Sequence, residues 1–345
     1  MDYSYAKYAT DMAVKLLSID SPTGYTDKAI DWVINEFTAL GYSCKRTIKG
    51  GAFIDFGGDD TNDALMLDVH ADTLGCMVRE IKGNGRLKLT SCGGLYPESI
   101  ETENARIYTR DGRVYTGTFQ INNASVHVND NFKGTPRDWN NCELVLDEDV
   151  RCADDTRKLG IENGDFVCFD PRTVVTEKGY IKSRFLDDKL SVGILFGFAK
   201  YMKDEGITPR RRLYGHVTVY EEVGHGASAT VPEGVTEALS IDMGCVGDGI
   251  VANEKMVSIC CKDGRGPYNY DITTRLINAA KSEGADYAVD FYPHYGSDVE
   301  DTLIAGFDIR HGLIGAGVYA SHGYERSHID GVFNTLKTLK AFALA

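Results

Sequence analysis

Read for hydrophobic period, the chain opens on two helices. Apolar side chains at Tyr5, Tyr8, Met12, Val14, Leu16 and Leu17 recur at helical spacing over residues 3–17. The turn Ser18-Ile19-Asp20-Ser21-Pro22-Thr23-Gly24 stops them, and Thr26 to Leu40 reads as a second amphipathic helix ended by Gly41. The pattern then changes to strands. Ala52 to Phe56 is one, closed by Gly57-Gly58-Asp59-Asp60. Ala64-Leu65-Met66-Leu67-Asp68-Val69 is a near-continuous apolar run, as expected of a central strand covered on both faces. His70 and Asp72 fall at its carboxyl end, the edge where ligands bind in open α/β sheets.

After Gly75 helical periodicity fades. Short β-type runs at 106–109, 113–119, 143–146 and 165–169 are separated by Gly and Asn/Asp turns, so residues 76–175 read as a small all-β module. Helix–strand alternation resumes at Asp187. Leu190 to Met202 predicts a helix, Gly215 to Tyr220 a strand, Ser228 to Val231 the opening of another helix, and Ala238 to Met243 a strand; an amphipathic helix ends the chain. The expected domains are therefore 1–75 with 176–345, an α/β layer, and 76–175, a β insertion.

At 345 residues the chain is long enough for one large or two ordinary domains, and 43% hydrophobic content supports a sizeable core. The net charge of −14 argues against nucleic acid and anionic membrane as partners. No run reaches the ~18–20 apolar residues of a membrane span. The N-terminal residues lack a basic region followed by an apolar one, so no signal peptide is expected. Nine cysteines, without zinc-finger or Cys-x-x-Cys spacing, read as reduced thiols of a cytoplasmic protein.

Five segments carry metal-type ligands. In His70-Ala71-Asp72 two polar side chains on an extended segment point the same way; His70 binds a cation while Asp72 supports its other ring nitrogen. Asp187-Asp188 precede an apolar helix, where one serves as a cap and the other as a metal carboxylate. Glu221-Glu222 follow the apolar strand 217–220; adjacent glutamates there are costly unless paired or metal-bound. Glu222 reads as a ligand and Glu221 as the group that moves a proton. Asp242 ends a strand, His328 precedes the last helix with His322 as its rival, and Gly296-Ser297-Asp298 is a polar turn placed to meet a substrate amine.

The order and spacing of these segments resemble the co-catalytic zinc metallopeptidases related to glutamyl aminopeptidase, the tetrahedral (TET) aminopeptidases and the deblocking aminopeptidases. The shared motifs read here as His70-Ala71-Asp72, Asp187-Asp188-Lys189, Glu221-Glu222-Val223-Gly224-His225-Gly226, Asp242-Met243-Gly244, Gly296-Ser297-Asp298 and Tyr324 through His328. The resemblance implies an α/β fold, a three-layer sandwich with a mixed central sheet, carrying an inserted all-β domain that is PDZ-like or barrel-like. It implies an aminopeptidase with two divalent ions, zinc first, cobalt or manganese otherwise. Asp187 would bridge them, His70 and Asp242 would complete one site, and Glu222 and His328 the other. Glu221 would be the general base and Asp72 the support for His70. It also implies short peptides as substrates and a homo-oligomer, from a dimer to a dodecamer, assembled through 76–175. The same ligand inventory serves metal-dependent deacylases and carboxypeptidases, and a non-catalytic homologue would keep the fold alone.

Overall fold

In a computed structural model, which describes residues 1–345, the apolar run at 64–69 lies inside the strand Asp60–His70. Its side chains alternate between two cores. Leu65, Leu67 and Val69 join the larger one, with the helices Ser4–Leu17, Asp27–Ala39, Leu186–Asp204, Tyr270–Ser282 and Ile329–Ala343. Ala64 and Met66 face the smaller one, with Tyr268, Tyr292, Val299 and Leu313. A strand buried on both faces has no polar side to show solvent, which accounts for its continuous hydrophobicity. The outcome is three layers with the sheet in the middle.

The sheet is mixed. It has twelve strands, and from one edge its main path runs Ser43–Arg46, Ala52–Gly57, Arg211–Thr218, Asp60–His70, Val235–Ile241, Arg310–Tyr319, Glu325–His328, Tyr180–Ser183 and Val174–Val175, with Gly244–Val246, Val257–Lys262 and Tyr287–Phe291 pairing off that path. Arg211–Thr218, Asp60–His70, Val235–Ile241 and Arg310–Tyr319 are mutually parallel, so their carboxyl ends share one edge. The chain divides into two compact units, Met1–Asp72 with Arg172–Ala345, and Thr73–Pro171. The second is a closed barrel of six strands, Gly75–Ile81, Leu87–Cys92, Cys142–Leu146, Val114–Ile121, Asn104–Tyr108 and Phe166–Phe169 in spatial order. Phe119, Ile121, Leu144 and Phe169 fill its interior.

The helix expected to open at Ser228–Val231 does not exist. The chain there forms turns between the short helix Glu221–Val223 and the strand Val235–Ile241. Thr230 has φ +70° and Gly234 φ +84°, with Pro232 between them, and none of these continues a right-handed helix. The helix expected from Leu190 begins earlier, at Leu186, but Asp187 and Asp188 keep non-helical dihedrals.

Helix Leu186–Asp204 is nearly all buried and packs on Ser4–Leu17 through small residues. A Cβ on Gly193 would stand 2.4 Å from Ala9 O and 2.8 Å from Ala13 Cβ. Lys189, buried in the same helix, donates to Leu16 O (3.2 Å) and Ile19 O (2.6 Å), closing the carboxyl end of the first helix. Gly193→Val should therefore lower stability by about 2–3 kcal/mol through overpacking; a denaturant midpoint equal to that of the native chain would contradict this contact.

Candidate metal centre

Parallel strands that end together deliver their next residues to one place. His70 closes Asp60–His70, Glu221 and Glu222 follow Arg211–Thr218 in a short 3-10 turn, and Asp242 follows Val235–Ile241. Asp187 and Asp188 enter at the start of the buried helix, and His322 from the turn after Arg310–Tyr319. Three residues that hold or adjoin these groups adopt left-handed backbone: Phe185 (φ +68°), Tyr220 (φ +75°) and His322 (φ +62°). Each such conformation costs about 1–3 kcal/mol for a residue with a Cβ. The surrounding fold holds that strain at the site.

Two ligand sets result. His70, Asp188 and Asp242 bring one donor atom each within 4.8 Å of one another, as do Asp187, Glu222 and His322. Asp187 stands between them: its Oδ1 is 3.1 Å from His70 Nε2 and its Oδ2 is 3.6 Å from His322 Nε2. Glu222 Oε2 is 3.7 Å from His322 Nε2, and Glu221 Oε2 is 3.6 Å from His70 Nε2. His70 Nδ1 donates to the Asp72 carbonyl at 3.0 Å, which leaves the Nε2 lone pair aimed at the cluster.

The charges are unbalanced. Asp187, Asp188, Glu221, Glu222 and Asp242, five carboxylates, share the site with two imidazoles. Burial, then repulsion from Asp187, drives the Asp242 carboxyl up to about 7. Burial raises Glu221, Glu222 and Asp188 well above the usual carboxylate range, with neighbouring carboxylates adding to it. Burial pushes Asp187 upward too, but hydrogen bonds from His322 and His70 overturn that and hold it below the ordinary value. Its bond to Asp187 raises His322 to about 10 despite burial. Asp188 Oδ1 and Glu222 Oε1 are buried and accept no hydrogen bond. Hard oxygen donors, two imidazoles and surplus negative charge fit a pair of divalent cations.

A second layer of carboxylates braces this one. Asp72 accepts from Thr23 Oγ1 (2.6 Å) and from the backbone N–H groups of Glu221 (3.2 Å) and Glu222 (3.4 Å). Glu325 accepts from the backbone N–H of Asp187 (3.1 Å) and of His322 (3.0 Å). Asp298 accepts from Ala227 N–H at 2.8 Å and from Thr218 Oγ1. Gly226 is pressed against it so closely that a Cβ there would lie 2.3 Å from Asp298 Oδ1. That contact is the physical reason for a glycine at this step of the turn.

Several expectations need correction. His328 is not in the cluster. It caps the last helix, accepting from Asp330 N–H at Nδ1 (3.0 Å) and donating from Nε2 to Lys178 O (2.8 Å), so neither ring nitrogen is left for a cation. The imidazole beside Asp187 and Glu222 is His322. Ser297 caps the helix Asp298–Ile304 in a capping box with Glu300, and its hydroxyl meets Tyr268, so it does not face substrate. Asp298 is buried behind the Gly226 turn rather than in the cleft. Asp72 meets His70 through its carbonyl rather than its carboxylate: its Oδ1 is 3.6 Å from Nδ1, and the carboxylate is committed to the Glu221–Glu222 turn.

The cleft over the cluster, about 390 Å³, is lined by Asp187, Glu221, Glu222, Asp242 and His322 and by residues the sequence reading passed over, among them Tyr295, His294 and Arg265. Tyr295 donates to Met243 O at 3.3 Å, beside Asp242. Arg265 is the only Arg or Lys of the lining, anchored on Asp301. Both come from the segment 263–296, whose turns carry no motif recognisable along the chain.

Residues 50–338 match the sequence model of the family described as M42 glutamyl aminopeptidase. The Bacillus subtilis protein YhfE, named as an aminopeptidase, is 42% identical over 329 residues, covering 95% of each chain. The TET aminopeptidase of a marine-sediment thaumarchaeon superposes with TM-score 0.88 at 17% identity, over 97% of this chain and 96% of that one. The Pyrococcus horikoshii TET1 peptidase does so with TM-score 0.85 at 19% identity, over 97% and 99%. At such identities these two likenesses establish the α/β fold with its six-stranded barrel. The sequence matches carry further: the chain belongs to the M42 glutamyl aminopeptidase family and is a peptide-bond hydrolase.

Proposed function

We propose that this peptidase is a two-cation aminopeptidase that releases N-terminal residues from short peptides. The observation that carries the reading is Asp187, whose two oxygens face two different imidazoles, each with its own acidic partners. His70, Asp188 and Asp242 would hold one cation, Glu222 and His322 the other, with Asp187 between them. Zinc, cobalt and manganese all suit this N/O donor set. When bound, the pair supplies Lewis acidity, lowering the pKa of a water and polarising a carbonyl.

The chain's own residues supply the rest. Glu221 stands beside the cluster without belonging to either ligand set, so its carboxylate takes a proton from the attacking water and returns it to the amine nitrogen of the departing peptide. Its pKa, raised by burial, suits a group that both takes and gives a proton. Asp72 fixes its backbone, hence its aim. The acidic lining of the cleft attracts a protonated α-amine, which supports a requirement for a free N-terminus over the deacylase and carboxypeptidase readings. All nine cysteines are free, which supports a cytoplasmic setting. Structural relatives are described as a dodecamer and as a tetrahedron or large octahedral shell; we extend that behaviour to this chain, with the barrel unit as the pairing element.

Glu221→Gln should keep both ions and lower kcat by roughly 10²–10⁴-fold on aminoacyl-anilides; loss of metal from this variant would make Glu221 a ligand and remove the base from the scheme. His322→Ala should lose one of the two ions by elemental analysis, whereas His328→Ala should keep both. Light scattering should give a mass many times the 37.9 kDa of one chain; a single-chain mass would end the assembly proposal.

A further inference from the structure

Glu325 has no role in the ligand inventory, yet its place is unusual. It lies on the strand Glu325–His328, paired opposite Ser183 of Tyr180–Ser183, and is 2% exposed. A buried carboxylate needs strong partners. Its partners are two backbone amides, those of Asp187 and His322, one on each carboxylate oxygen. These residues are far apart in sequence and belong to different connections, one entering the buried helix and one leaving a sheet strand. Both connections pass through left-handed residues, Phe185 and His322 itself, which the local sequence does not favour.

We propose that Glu325 is a positioning residue that fixes Asp187 against His322 and so sets the affinity of the cation site made by Asp187, Glu222 and His322. The arrangement parallels Asp72, which holds the Glu221 and Glu222 amides with one carboxylate. The two carboxylates together clamp the backbone of four of the residues around the cluster. A glutamine at 325 keeps the shape but offers one accepting oxygen and an NH2 group, which cannot accept, so one of the two amides loses its partner. Coordination geometry answers to such supports; disturbing them typically weakens metal binding by about 10–100-fold.

The test is a Co²⁺ titration of the metal-stripped full-length protein, followed by calorimetry and visible absorption. It rests on the two-cation reading and separates the two. The native chain should take two ions; if it takes fewer, that reading fails. Glu325→Gln should take one ion about 10–100-fold more weakly, with an altered absorption band for that step, and the other, which shares only Asp187 with it, with a clearly smaller loss. Ser327→Ala serves as control, since it removes a buried hydrogen bond to Gly317 O in the same strand without touching a candidate ligand, and should bind both ions as the native chain does. Two native-like steps in Glu325→Gln, or equal weakening of both steps, would overturn the proposal. Should Glu325→Gln fail to fold, Glu325→Asp takes its place: the charge is kept, the shorter arm reaches one amide, and the same selective loss is expected, while native binding would overturn the proposal.

Discussion

Like charge packed at close quarters in a buried place is the constraint on which the catalytic unit depends. Five carboxylates around two imidazoles repel one another and lose hydration, and burial drives most of them toward the protonated form. Left to local forces the segments would separate. The fold prevents this by anchoring every one of them to an element that is stable for other reasons: parallel strands clad on both faces, and a helix whose side chains are almost all in the core. The site's demand for positive charge is thus built in by the scaffold, and a pair of divalent cations would answer it.

How the anchoring works is visible one layer out. The candidate ligands are aimed mostly through backbone amides held by buried carboxylates, Asp72 for the Glu221–Glu222 turn and Glu325 for Asp187 and His322, with Asp298 bracing the Gly226 turn. These bonds satisfy buried backbone donors and tie down the main chain at or beside the left-handed residues Phe185, Tyr220 and His322. The same device explains why Asp72 matters beyond its histidine: its carboxylate fixes the Glu221–Glu222 turn, its carbonyl fixes the ring.

Much of this was readable along the chain. The amphipathic helices at either end, the two-faced strand ending at His70 and the change of texture after Gly75 each follow from a period that local sequence imposes. So did the candidate carboxylates, because adjacent acids at a strand end are conspicuous. The reading failed where two residues of the same type competed. His322 and His328 are six apart, both near the last helix, and only hydrogen bonds tell them apart: one ring is consumed by Lys178 O and Asp330 N–H, the other points at Asp187. Ser297 and Asp298 failed for a related reason, since a polar turn that braces a neighbouring loop looks the same in sequence as one that meets substrate.

What the sequence determined by itself, then, is which elements form and which residue types are available at their ends, since period, caps and turns are properties of a few neighbouring positions. What only the tertiary structure decided is which of those residues meet. Asp187, Glu222 and His322 come from three separate segments, and Glu325 ties two of them by their amides; neither fact leaves a trace in spacing. The physical reason is that a donor is defined by where its lone pair points, and that direction is set by hydrogen bonds formed after strands and helices have packed.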